Sequence, residues 1–241
     1  GAVLLRASKN GKSTSLLMIN RFPESYGDAS NLNGAEVAVD NIHKDKLSGT
    51  KHEITIEAES DPKSDLYGGN TYVTNLVKFP IPEAYKNDLR IQVDVAGLPV
   101  MGDGYNNAGI VLYKDGNNYY SVGKKGHMSG VTAVYEEAAS PEERSGNGAE
   151  NRMSASTFEI EIQNDTAVMR FKDEAGNWKT ADTQNGISRI TDGELYLAFT
   201  SWKNGGRDFN TTFGNVKIAK ASETETENMK NIVPKQIFAA V

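Results

Sequence analysis

The sequence contains no cysteine, which excludes disulfide frameworks, thiol nucleophiles and cysteine-ligated zinc or iron–sulfur centres. It also lacks any apolar run near the ~18 residues that a membrane-spanning helix needs. No basic cluster offsets the excess of 32 acidic over 26 basic residues, a formal net charge of −6. A phosphate backbone would be repelled, so nucleic acid is not an expected partner. Nor is there a G-x-S-x-G elbow for a serine nucleophile. The three histidines, His43, His52 and His127, lack the helical spacing of zinc proteases.

What is present is β patterning. With 241 residues, 38% of them hydrophobic and 23 of them glycine, the chain is long enough for one large β-rich domain. Apolar and polar residues alternate with period two in several runs: Ile54, Ile56 and Ala58; Leu89, Ile91, Val93 and Val95; Phe158, Ile160 and Ile162; Leu195, Leu197 and Phe199. Such runs are strands with one face on a core. Turn residues separate them at Asp115-Gly116-Asn117-Asn118, Asn164-Asp165, Asp173 to Asn177, Asp192-Gly193 and Asn204-Gly205-Gly206, a spacing that predicts a sandwich or jelly roll with few helices. Two further strands are expected at Ser15–Asn20 and Glu36–Val39.

Three segments depart from the pattern. Pro23 to Asn33 is a polar loop, and Glu137 to Asn151 is charged and apolar-poor, so an exposed excursion is expected there. Ser222 to Lys235 is polar with helical propensity and reads as a tether. The expected organisation is a single β-sandwich over residues 1–221 followed by a C-terminal tether over 222–241. The start Gly1-Ala2-Val3 is read as that of a fragment or of a processed mature chain.

Several pieces invite chemistry. Asn10-Gly11-Lys12-Ser13-Thr14 suggests a phosphate loop, but that motif needs a glycine where Arg6 stands and a helix where Leu16-Leu17-Met18-Ile19 reads as a strand. Jelly-roll glycosidases use paired carboxylates across the scissile bond. The nearest pieces here, Glu159-Ile-Glu161 and Glu57-Ala-Glu59-Ser-Asp61, do not complete an E-x-D-x-x-E pattern and read as outer strand faces. Loop oxygens suit calcium better than any transition metal. Met101 to Asn107 and the pair Asp208 and Asn210 offer them, so one structural Ca2+ is the expected cofactor, with Asp208 a ligand. Exposed aromatics are the most useful binding residues, because a sugar ring has an apolar face on which Tyr or Trp can stack. The expected ligand site is Tyr105, Asn106, Asn107, Tyr113, Trp178, Trp202 and Arg207.

The run Asn107-Ala-Gly-Ile-Val-Leu-Tyr-Lys-Asp115, followed by Asn118-Tyr-Tyr-Ser-Val-Gly123, resembles the hairpin "AGL-x-L-Y … D-x-N-Y" of concanavalin A-like lectin/glucanase sandwiches. Phe158 to Trp178 is similar to the family's strand, turn, strand, "D-G-x-x-W" segment. Asp208 to Ile218 is similar to its closing "F-D-x-F-x-V" strand. The likeness covers about Thr50 to Ala219. It departs at the closing acid, replaced by Asn210 or Asn215, and at Glu137–Asn151, which it does not match. The resemblance implies an all-β, antiparallel jelly-roll sandwich of the accessory type attached to bacterial extracellular glycoside hydrolases. The expected function is that of a non-catalytic, monomeric carbohydrate-binding module, secreted or at the cell surface, whose partners are a glycan and other domains of the same parent chain. Two alternatives stay open: a structural or adhesive sandwich that packs on a neighbour, and a sandwich-fold glycosidase or lyase.

Overall fold

The computed structural model describes residues 3–9, 12–18, 38–49, 53–60, 65–70, 72–127, 130–146, 148–223 and 230–231. In chain order the strands are β1 (Val3–Lys9), β2 (Lys12–Met18), β3 (Ala38–Asp40), β4 (Leu47–Gly49), β5 (Glu53–Glu57), β6 (Glu59–Ser60), β7 (Leu76–Pro80), β8 (Asp88–Ala96) and β9 (Asn107–Asp115). They continue with β10 (Asn118–Lys125), β11 (Val131–Glu137), β12 (Ser140–Ser145), β13 (Ala155–Gln163), β14 (Thr166–Lys172), β15 (Trp178–Asn185), β16 (Tyr196–Lys203), β17 (Asn210–Ala219) and β18 (Lys230–Asn231). Among the described residues the one α-helix, α1 (Ser188–Thr191), is a single turn.

Two sheets result. A ten-stranded sheet has the order β1-β2-β3-β7-β16-β9-β10-β11-β12, with β6 added beside β16. An eight-stranded sheet has the order β15-β14-β13-β8-β17-β5-β4, with β18 beside β17. All pairings are antiparallel except that of β6 with β16. The fold is an all-β, antiparallel sandwich.

Alternation decides which face of each strand is buried. In β8, Leu89, Ile91, Val93 and Val95 point into the core, as do Phe158, Ile160 and Ile162 of β13. Facing them from the other sheet are Ile110 and Leu112 of β9, Tyr120 and Val122 of β10, and Leu197 and Phe199 of β16. Phe199 stacks on Phe213 of β17 across the gap between the sheets, with ring centroids 4.6 Å apart. Such offset aromatic packing adds to the area the rings bury.

A second apolar cluster lies on the opposite, outer face of the ten-stranded sheet. Val111, Tyr113, Tyr119, Val134 and Ala198 are covered there by Leu66 and Val73 of the 65–75 loop. The loop is pinned by Glu136, fully buried on β11, which accepts the N–H groups of Gly68 (3.0 Å) and Gly69 (2.5 Å). A buried carboxylate without donors would be costly, so these bonds fix both the acid and the loop.

The structure corrects two segment readings. Glu137 to Asn151 is no free excursion: it closes a hairpin into the edge strand β12, which pairs with β11 from Glu137↔Ser140 to Thr132↔Ser145. Its turn residues, Ala138 (φ 51°) and Ala139 (φ 62°), adopt the left-handed conformation of a tight hairpin turn without the usual Asn or Gly. The strand itself carries Pro141 and charges, the composition of a protected sheet edge. The helical reading of the tether also fails at Lys230 and Asn231, which pair with Ile218 and Lys217 of β17. The Asn10–Thr14 motif enters strand β2 at Lys12, and β2 leads into no helix within the described residues. The Pro23–Asn33 reading lies outside those residues.

Candidate functional site

The outer faces of the two sheets differ in how far their polar groups satisfy one another. On the eight-stranded sheet, Arg170 bonds Glu159 (2.7 Å), Arg90 bonds Glu161 (2.6 Å) and Gln92 bonds Glu159 (2.7 Å). Asp94 accepts from both Thr157 (2.7 Å) and Asn215 (2.8 Å). Burial works against the Glu161 carboxylate, but the hydrogen bonds from Arg170 and Arg90 outweigh it and hold the carboxyl below its ordinary value. Glu159 and Glu161 are thus ion-paired members of one network.

The outer face of the ten-stranded sheet is built differently. Four residues pair in register across β16, β9, β10 and β11: Thr200↔Gly109, Gly109↔Gly123 and Gly123↔Thr132. With glycine in the two central strands, this row forms the floor of a trough that crosses the strands. The adjacent row, Trp202↔Asn107↔Lys125, makes one wall. Asp65 and Tyr67 of the 65–75 loop face it from the other side. The cavity encloses about 230 Å³ and opens to solvent between Tyr67 and Tyr105, which are 46% and 59% exposed.

Inside the trough the buried hydroxyl of Thr200 has no hydrogen-bond partner among the described residues, and neither does that of Thr132 at the other end of the row. Buried polar groups are ordinarily paired, so such groups mark a place where water or a ligand completes the bonding. Lys125 and Glu143 of β12 form an ion pair at 2.5 Å. The carboxyl of Asp65 is raised above its ordinary value by burial, although it accepts the N–H of Tyr67. Tyr105 stacks on His127, with centroids 4.8 Å apart and planes within 9°.

Of the residues singled out in the sequence, Tyr105, Asn107 and Trp202 line this cavity. Asn106 is fully buried behind it, its Oδ1 accepting the Asn204 N–H at 2.8 Å. Tyr113 shares the outer face but is covered by the apolar cluster under the 65–75 loop, with the Lys78 ammonium 5.7 Å from its ring. Trp178 stands on β15, the edge of the other sheet, under the ammonium of Lys172 at 5.1 Å. Arg207 is spent on Asp103 (2.7 Å), which also accepts the Val100 N–H (2.8 Å). Asp208 is ion-paired with Lys203. These pairings leave the two acids of the expected calcium region engaged with cations, and no three His, Asp or Glu side chains among the described residues converge on one point.

Reading the sequence alone missed Asp65, Lys125, Glu143 and Thr200, which come together only through strand pairing and the fold of the 65–75 loop. Gly109 and Gly123 did carry a signal. A glycine inside a strand pattern marks close backbone approach, and a Cβ on Gly109 would lie 2.3 Å from the Val122 carbonyl oxygen.

No protein-family model matches the sequence, and no curated protein matches it. Solved structures do match. The chain is similar to the GH43 protein BlXynB from Bacillus licheniformis (TM-score 0.58, 14% identity), over 73% of this chain and 35% of that one. It is similar to a xylan β-1,4-xylosidase from Bacillus halodurans (TM-score 0.56, 11% identity, 88% and 52% of the two chains). A functionally unknown protein from Saccharomyces cerevisiae also matches (TM-score 0.54, 12% identity, 72% and 91%). The match thus spans about a third to a half of the two bacterial chains. At these identities the likeness is one of fold: an antiparallel β-sandwich shared with parts of glycoside hydrolase structures.

Proposed function

We propose that this domain is a non-catalytic carbohydrate-binding module whose ligand lies in the trough on the outer face of the ten-stranded sheet. The observation that carries the reading is the glycine-floored cavity with an unpartnered Thr200 hydroxyl, walled by Trp202, Tyr67 and Tyr105. A sugar ring presents both an apolar face for such aromatics and hydroxyls for groups such as Thr200 and Asn107. Concave sites with aromatic walls and a few convergent polar groups are the usual form of small-ligand sites. The similarity to parts of glycoside hydrolase structures agrees with this. In this reading residues 1–221 act as one monomeric binding unit, and 222–241 tether it to other domains of a secreted or surface glycosidase. Tethering would raise the effective concentration of a weakly held glycan.

A glycan-array screen of the purified chain, with calcium and again with a chelator, tests the reading. Selective binding to one glycan family is expected. A blank array from folded protein would shift the assignment to a domain that only packs on neighbours. Any calcium at Asp208 would have to displace the Lys203 ammonium, so loss of binding with chelator would revise that region.

One observation favours a second, enzymatic reading: Asp65, its carboxyl raised by burial, and Glu143 line the same cavity. Two carboxyl groups in unlike environments are what acid–base hydrolysis of a glycosidic bond uses. Turnover of a bound oligosaccharide that is lost in both D65N and E143Q would establish it.

A further inference from the structure

The charges of the trough are arranged against acidic ligands. Among the described residues that line it the acids are Asp65 and Glu143, and Lys125 is the one cation. The charge of Lys125 is already balanced by a carboxylate: its ammonium is bonded to Glu143 at 2.5 Å and lies 6.0 Å from the Tyr67 ring. On the same outer face, under Gly68 and Gly69, the buried Glu136 carboxylate adds further negative charge nearby and accepts the N–H groups of both glycines. Among the described residues a carboxylated or sulfated sugar would therefore meet two acids and no unpaired positive charge, in a concave site that water screens poorly. An uncharged sugar meets none of this penalty and can complete the bonding of Thr200.

We infer that the Lys125–Glu143 ion pair makes the trough selective for uncharged glycans, with Glu143 the specificity-determining residue that keeps acidic sugars out. This rests on the binding function proposed above. Discrimination here comes from a repulsive element rather than from an added contact. Glu143 achieves it twice, by pairing with the one cation among the described lining residues and by contributing its own negative charge. Removing the carboxylate while keeping the shape frees Lys125 and turns the same wall into an anion-binding one.

The test is calorimetric titration of the full chain with neutral xylo-, gluco- and galacto-oligosaccharides, set against glucuronic acid-substituted xylo-oligosaccharides and oligogalacturonate. The wild type is expected to bind a neutral series at least tenfold more tightly than any uronate. E143Q is expected to gain uronate affinity and narrow that difference, a gain that a misfolded variant could not mimic. The double variant K125M/E143Q, with neither charge, should lose the gain. Uronates binding the wild type as tightly as neutral glycans would overturn the inference while leaving carbohydrate binding intact, and so would an E143Q variant with an unchanged preference. Absence of binding to every glycan is a different result, which removes the parent reading and this inference together.

Discussion

Gly109 and Gly123 face each other across β9 and β10, and neither position has room for a side chain. A Cβ on Gly109 would lie 2.3 Å from the Val122 carbonyl oxygen, and one on Gly123 would lie 2.7 Å from that of Ala108. Facing glycines forfeit side-chain packing and cost entropy in a strand. What the pair creates is a smooth depression in a sheet whose neighbouring outer positions carry Tyr119, Val111 and Trp202.

The substitution G109A should therefore act on stability and on binding together. Accommodating the methyl group requires a backbone shift, for which overpacking costs of about 1–3 kcal/mol are typical. Chemical denaturation should show that loss, and glycan affinity should fall with it because the floor of the trough rises.

Trp178 and Tyr105 should behave differently. W178A removes an exposed ring from the edge of the other sheet and is expected to leave glycan affinity unchanged. Y105A removes the 59%-exposed ring at the mouth of the cavity and is expected to weaken binding about tenfold, the scale of one good aromatic contact. Titration calorimetry on the two variants separates a trough from an edge site.

These contrasts show what the sequence could convey. Period-two alternation identified the buried face of β8, β13 and β16, because a residue such as Ile91 is apolar whichever strand pairs beside it. It could not identify β12, whose Pro141 and charged residues suit a sheet edge as well as a loop. The site was harder still. Tyr105, Asn107 and Trp202 stand out by residue type, but so do Tyr113 and Trp178, and only the covering loop and the strand order separate them. Lys125 and Glu143 meet because β11 lies between β10 and β12, a relation that no local motif contains.

The ion-pair network on the eight-stranded sheet should be structural. R170M would leave Glu159, 5% exposed, with only Gln92 and a distant Arg90. A loss of about 1–3 kcal/mol is expected for a buried charged group deprived of its main partner, with no change in glycan affinity. Denaturant titration and calorimetry on the same sample check both halves.

Lys124 supplies a pH signature. Its ammonium is buried against the carbonyls of Pro99 and Asn151, and burial pushes its pKa down to about 8. An unfolded lysine holds its proton to about pH 10.4. Between those values the unfolded state carries the extra proton, so the Lys124 contribution makes stability rise with pH. The buried Tyr119 and Tyr120 are raised above the ordinary tyrosine range by burial and by neighbouring acids, and they act in the opposite sense only above about pH 10. Thermal melts from pH 8 to 9.5 should therefore show a positive slope that K124M lacks.

In the proposed mode, ligand lies across the strands on the outer face of the ten-stranded sheet. Backbone-amide NMR during titration with an array-positive oligosaccharide locates it. Shift changes are expected to concentrate at Gly109, Gly123, Lys125, Thr200 and Trp202. Changes confined to β15 and the outer face of the eight-stranded sheet, with those five amides unmoved, would contradict that mode.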